Sequence, residues 1–334
     1  MTVLLKLVQM LKCVLSVVVL IQLCLAQGGI FASREIEVSG FRPVQVPPFS
    51  YFGESQCDRN GNMYFHGGDS DFRYGQIFRL SSDGTSGKFF RITGKFADPN
   101  LAGFDSFWVT PDGEVFILSA NTQDKYVFTF DHDGTVKAPV ILNVREDVQL
   151  TDFAVFENGF FLVWGFNDER SSKDLRGKRY AAVLTESGEV VRELSIPLPL
   201  VDLGNLGAPS DGAVMSYAGN LYFLGSDQIA VISVTGETIR KLKFHKPDPE
   251  DVATKLYLSG GMAVVALNKI STKGATRGEV QRSFIALDQN SGDLIGYYKA
   301  SAQSGWDVCF SRTDGLTFLQ TDGKTQRLAS GLLR

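Results

Sequence analysis

Past residue 40 the chain alternates short apolar runs, such as "EVFILSA" and "KYVFTF", with clusters of Gly, Asp and Asn, and it shows no convincing amphipathic helix. That pattern predicts strands joined by tight turns. The turns are of two kinds. One carries Gly61 in "DRNGNMYF", Gly113 in "TPDGEVFI", Gly159, Gly219, Gly261 and Gly315. The other follows each of the first five, at Gly84 in "SSDGTSGKFF", Gly134, Gly188, Gly236 and Gly292. Each series advances by about 50 residues, and two interleaved turns per period mean four strands per repeat, as in a β-propeller blade. The expected fold is all-β: a six-bladed β-propeller of four-stranded blades.

After Gly315 come strand patterns at "LTFLQ" and "QRLASGLL", so the sixth blade is one strand short. "REIEV" (34–38) is an unassigned strand pattern near the other end. Closing the last blade with this N-terminal strand would remove an open sheet edge. The Asp-Gly and Asn-Gly corners read as turn chemistry. Short polar side chains bond the backbone there, and Gly takes the positive φ. A calcium-binding loop needs oxygen ligands at alternate positions and a Glu at the twelfth, whereas "FDHDGTV" offers Asp131 and Asp133 alone. Asp112 in "VTPDGEVFIL" is therefore expected to be a turn residue, useful as a marker of register.

Composition then narrows the class. A hydrophobic content of 44% supports a large core, and a formal charge of −4 gives no basic excess to attract nucleic acid. The first 26 residues stand apart: Lys6 and Lys12, an apolar run from Cys13 to Leu25, then Ala26 before polar "QGG". This is a secretory signal pattern, with residues 27–334 as the propeller. The expected location is exported, periplasmic or extracellular. The alternative is a membrane anchor formed by an uncleaved signal; cleavage leaves no membrane span. A monomer is expected. Cys57 and Cys309 remain after cleavage, on innermost strands of the first and sixth blades, which a closed ring makes neighbours. They read either as a disulfide stapling the seam or as two buried thiols. His66, His132 and His245 are too scattered for a zinc site.

Propeller ligands usually meet the mouth of the central channel, where innermost strands begin. Seven or eight residues before each first-turn glycine stand Glu54, Asp105, Asp152, Asp211 and Asp307; the fifth repeat has Ala253 and Thr254 there, with Lys255 next. These acids either line a mouth that holds a divalent cation such as calcium or a cationic ligand, or bond the backbone of the next blade and lock the ring. Trp108, Trp164 and Trp306 read as inter-blade core, with Trp306 beside Asp307 also placed to stack on a flat ligand. Two polar insertions, "NDERSSKDLRGKR" (167–179) and "NKISTKGATRGEVQR" (268–282), sit between second and third strands, on the mouth side. Arg170, Lys173 and Arg176 in the first, and Lys273 and Arg277 in the second, read either as a docking surface for a protein or anionic-glycan partner or as solvated hairpin tips. No catalytic residue is assigned, because no serine–histidine–acid set or phosphate loop appears.

The stretch "GNLYFLGSDQIAVISVTGETIRKL" resembles the repeats of six-bladed NHL-type propellers, and the architecture is similar to the gluconolactonase and senescence-marker family. The resemblance spans residues 34–334 as architecture. It implies, as the alternative to a binding or scaffold module, a divalent-metal-dependent hydrolase with Glu54 in "FGESQCD" and Asp211 in "APSDGAV" as metal ligands. The family's asparagine ligands have loose counterparts here, Asn100 and Asn205.

Overall fold

The computed structural model describes residues 33–46, 51–52, 55–69, 72–97, 101, 104–121, 123–194, 213–270, 280–300, 307–310, 315–321 and 326–333. The signal segment lies outside them. Their strands form six antiparallel sheets in sequence order, which is a six-bladed propeller. The third blade shows the plan. It runs Val148–Val155, Phe161–Asn167, Arg179–Leu184 and Val190–Glu193, from the innermost strand outward.

Position in the blade explains the two kinds of strand sequence. Middle strands are covered on both faces by neighbouring blades, so they read as continuous apolar runs: Phe161 to Trp164 are all buried. The outermost strand Val190–Glu193 is exposed at every residue. The core accordingly lies between blades. Tyr64, Ile77 and Phe90 of blade 1 pack with Phe107, Ile117 and Phe128 of blade 2, and equivalent groups fill the other interfaces. Trp108 and Trp164 belong to this packing; Trp164 meets Phe223 edge-on at 5.8 Å between ring centroids.

The turns close as type I turns followed by a left-handed glycine, shown by pairs such as Gly188 N to Thr185 O (3.0 Å) and Thr185 N to Glu189 O (2.8 Å). The second-turn glycines share a further task. Gly84, Gly134, Gly188, Gly236 and Gly292 each abut the outer strand of the preceding blade or the residue that ends it, at Val44, Phe89, Ile141, Leu194 and Leu242. At Gly188 (φ +86°) a Cβ would stand 1.9 Å from the Ile141 carbonyl oxygen, and Asn143 N donates to Gly188 O at 2.9 Å. Gly219 (φ +74°), in a first turn, has open space instead.

The ring is closed by an N-terminal strand, a few residues later than "REIEV". Ser39–Val44 pairs with Gln326–Leu332 and completes blade 6, with Arg42 opposite Leu328. Ser33–Ile36 adds a fifth strand to the outer edge of blade 5, and Ile36 is completely buried. The same N-terminal stretch thus clasps two blades. Cys57 and Cys309 form a disulfide between the innermost strands of blades 1 and 6, with a Cα–Cα distance of 5.7 Å. A disulfide fits an oxidising compartment. Among the described residues no helix is long and apolar enough to cross a membrane.

One core group gives the fold a pH dependence. His66, in the second strand of blade 1, is half-buried, and burial lowers its pKa from 6.5 to about 4. The unfolded chain takes up this proton near pH 6.5, the folded chain only near 4. Stability is therefore unaffected by His66 above about pH 6.5, falls as pH drops towards 4, and loses no more than about 3 kcal/mol from this group. Denaturant melts across pH 7 to 4 check this. The wild type should lose stability over that window relative to His66→Gln, and parallel curves would exclude the effect.

Candidate functional site

Antiparallel pairing gives the ring two faces. Innermost strands begin on the upper face, which also carries the loops between second and third strands; both turn series lie on the lower face. At the upper level, a β-bulge interrupts the innermost strand of blades 2, 3 and 5 between Phe104 and Ser106, Leu150 and Asp152, and Ala253 and Lys255. A bulge inserts one residue and changes which side chain faces the ring. Pairing resumes at Ser106, Asp152 and Lys255, and all three are buried.

These residues tie blades together. Ser106 Oγ donates to Asp152 Oδ1, which also accepts from Phe153 N at 2.8 Å. Lys255 Nζ reaches from blade 5 to blade 1, donating to Ser55 O at 2.9 Å and Ser55 Oγ at 3.1 Å. Gln56 spans blades 1 and 2: Nε2 donates to Phe107 O at 2.6 Å, and Oε1 accepts from Val109 N at 2.8 Å. Buried polar groups satisfied in this way hold strands in one register. Asp152 and Lys255 each make a bond to another blade at this level. Gln56, Ser55 and Ser106 were not singled out from sequence, because the search at this level was for charged residues and these are neutral.

Asp105 is the bulged residue of Phe104–Val109, and Asp307 begins the strand Asp307–Phe310. Glu54, Asp211, Trp306, Lys273 and Arg277 lie outside the described residues, and so do both expected metal ligands. Among the described residues no three His, Cys, Asp or Glu side chains gather as a cation site.

The first insertion is an ordered loop on the upper face. Arg170 donates to Asp168 Oδ2 through Nε (3.0 Å) and Nη2 (2.6 Å), and its Nη2 also donates to the Glu146 carbonyl. The bond from Arg170 holds the Asp168 carboxyl below its usual range. Ser171 is buried and donates to Asp147 O at 2.9 Å, while Arg176 N and Leu175 N close on Ser172 O at 3.0 and 2.9 Å. Residues 172–179 are exposed. Lys173, Arg176 and Lys178 make no side-chain hydrogen bond or ion pair among the described residues. At the base of the second insertion Lys269 pairs with Asp248 and with Glu250 (3.1 Å).

On the lower face the channel opens into a cavity of about 540 Å³, to which each of the six blades contributes a strand end or first-turn residue. Its rim is held by turn-to-turn bonds. Arg59 Nε donates to Pro111 O at 3.2 Å and faces Asp112 Oδ1 at 3.1 Å, so Asp112 is a turn residue with an inter-blade ion pair. Glu157 Oε2 accepts from Gly219 N at 3.0 Å. Asp58 is buried and fixes its own turn, accepting from Asn60 N (2.9 Å), Asn62 N (3.1 Å), Asn62 Nδ2 (2.6 Å) and Tyr64 OH (3.0 Å). Burial, then the Asp58 charge, raises the Tyr64 pKa.

No known protein family matches the chain, and no curated protein matches it in sequence. Similar solved structures include a gluconolactonase-like protein, with 12% identity, 91% of this chain and 99% of that one covered and a TM-score of 0.47. A luciferin-regenerating enzyme has 10% identity, 89% and 96% coverage and a TM-score of 0.46. The Neurospora crassa Pan2 WD40 domain has 10% identity, 91% and 97% coverage and a TM-score of 0.46. At such identities these likenesses carry no function to this chain.

Proposed function

We propose that the chain is an exported binding module, a propeller without catalysis of its own, that docks an acidic protein partner on its upper face through the loop 168–178. The observation that supports this reading is the order of the loop. Arg170, Ser171 and Ser172 anchor it, and Lys173, Leu175, Arg176 and Lys178 stand outward, with Leu175 an exposed apolar residue among cations. An anchored loop presents its charges without the ordering entropy that a flexible tip loses on binding. Opposite charge on a partner then sets recognition and association rate.

The test is affinity capture from the chain's own extracellular or periplasmic milieu, followed by titration of the recovered partner. Lys173→Glu with Arg176→Glu should weaken binding about tenfold or more, and added salt should weaken the wild type in the same direction. Both substitutions lie on exposed loop positions, so the melting temperature of the double variant should match the wild type. Equal binding by wild type and double variant would refute the reading.

A further inference from the structure

The two ends of the seam disulfide are not equivalent. Cys57, in the short innermost strand Gln56–Cys57 of blade 1, belongs to the wall of the lower-face cavity and keeps 8% of its surface exposed. Its partner Cys309, in the strand Asp307–Phe310 of blade 6, keeps none and is packed in the core of the seam with Phe310, Phe318 and Leu328. A molecule in the cavity therefore meets Cys57 and not Cys309. A disulfide breaks by attack of a thiolate on one of its sulfurs, and access decides which sulfur is attacked. A volume of about 540 Å³ is within the range of small-molecule sites. The cavity lies at the opposite end of the channel from the loop 168–178, so its use is independent of that loop.

The wall also sets a charge preference. Asp58 and Glu157 line the cavity, and so does Arg59, which Asp112 faces at 3.1 Å. Three carboxylates against one guanidinium leave this end of the channel negative. The first turn of blade 6 lies outside the described residues and adds Arg312 and Asp314, whose formal charges cancel. A negative wall holds off an anionic thiol and draws in a cationic one.

We infer that Cys57 is a thiol-exchange site, at which a small neutral or cationic thiol that enters the lower cavity opens the seam bond and becomes joined to Cys57. The thiolate sulfur attacks Cys57 Sγ. A new S–S bond forms there as the Cys57–Cys309 bond breaks, and the electron pair leaves with Cys309 Sγ, which takes up a proton from water. A second thiolate then attacks the small-molecule sulfur of the mixed disulfide and releases the Cys57 thiolate and a small disulfide. Two thiols are oxidised to one disulfide, and the protein bond is reduced by two electrons. When thiol is scarce, the Cys309 thiolate attacks Cys57 Sγ, expels the small thiolate and restores the bond. The tie between blades 1 and 6 thus follows the thiol content of the surroundings.

The test treats the folded, oxidised full chain at neutral pH with cysteamine, 2-mercaptoethanol and 2-mercaptoethanesulfonate as cationic, neutral and anionic probes. Samples are quenched with N-ethylmaleimide, and peptide mass spectrometry locates the adducts. The probe thiol should be found on Cys57 and maleimide on Cys309, in about tenfold or greater excess over the reverse placement. The rate should rise in proportion to thiolate concentration. With each rate divided by that of the same thiol on bis(2-hydroxyethyl) disulfide, cysteamine should lead the sulfonate by about threefold or more, and Glu157→Gln should narrow that gap. Glutamine keeps an oxygen to accept from Gly219 N, so this variant should melt as the wild type does. The inference is overturned if the probe falls equally on both cysteines or mainly on Cys309, or if the three thiols react alike. It is also overturned if the rate does not change with thiolate concentration, because exchange would then wait on unfolding.

Discussion

Replacing Cys57 and Cys309 together by alanine is expected to lower unfolding stability by about 4–5 kcal/mol, or roughly 10 °C in melting temperature. The two residues are 252 positions apart, so the bond closes nearly the whole chain into one loop and removes a large conformational freedom from the unfolded state. The bond also joins blades 1 and 6, where the ring is otherwise held by side-chain packing and by a strand borrowed from the N-terminus. Alanine is the suitable replacement because both sites are buried and a serine hydroxyl would add its own penalty. Denaturant melts with and without a phosphine reductant give the measurement. Reductant should shift the wild-type midpoint to that of the double variant and leave the variant unmoved. A variant as stable as the oxidised wild type would show that the seam does not depend on the bond.

Gly188→Ala is expected to be almost as damaging, at about 3–4 kcal/mol, from two sources. The left-handed backbone disfavours any Cβ by roughly 1–2 kcal/mol. The added methyl would stand 1.9 Å from the Ile141 carbonyl oxygen, and relieving that overlap means separating the blade 3 turn from the outer strand of blade 2 at a further cost of roughly 1–3 kcal/mol. Gly219→Ala is the matched control. It has a similar φ of +74° but open space around the added methyl, so the conformational part alone, roughly 1–2 kcal/mol, should appear. If the two variants melt alike, the contact between turn and neighbouring blade contributes nothing.

The distinction between these glycines marks the limit of what was legible in the sequence. Both turn series stood out because a left-handed residue after a type I turn demands Gly, a local requirement that leaves a residue type at a fixed spacing. Strand order and blade number followed from that spacing. Which series leans on the next blade was not legible, since Gly188 and Gly219 look alike as letters and differ in what lies across the interface. The closing strand was placed a few residues early for a related reason. "REIEV" and "SGFRPV" both lie in the N-terminal stretch that clasps the last two blades, one pairing with blade 5 and the other with blade 6. Only the partner decides between them.

The candidate sites divide in the same way. Counting back from the turn glycines reached Asp152 and, in the fifth repeat, Ala253 and Thr254 with Lys255 next; Asp152 and Lys255 make bonds between blades. In blade 2 the search for an acid stopped at Asp105, eight residues before Gly113, and passed over Ser106, seven before it, which bonds Asp152. The lower cavity left no trace in the letters. Its lining residues come from six separate segments of the chain.

The borrowed strand also sets the order of events when the protein is made. A chain delivered N-terminus first, from a ribosome or through a translocation pore, exposes Ser39–Val44 at the outset. Its partner Gln326–Leu332 emerges after the other described strands. Five blades can stack meanwhile, but the ring stays an open arc whose unpaired edges invite other chains. Closure therefore waits for that strand. A ribosome that stalls, or a protease that trims the final strand, would leave an arc with blade 6 incomplete and its N-terminal strand unpartnered, a species that quality control could recognise by the edge it still shows.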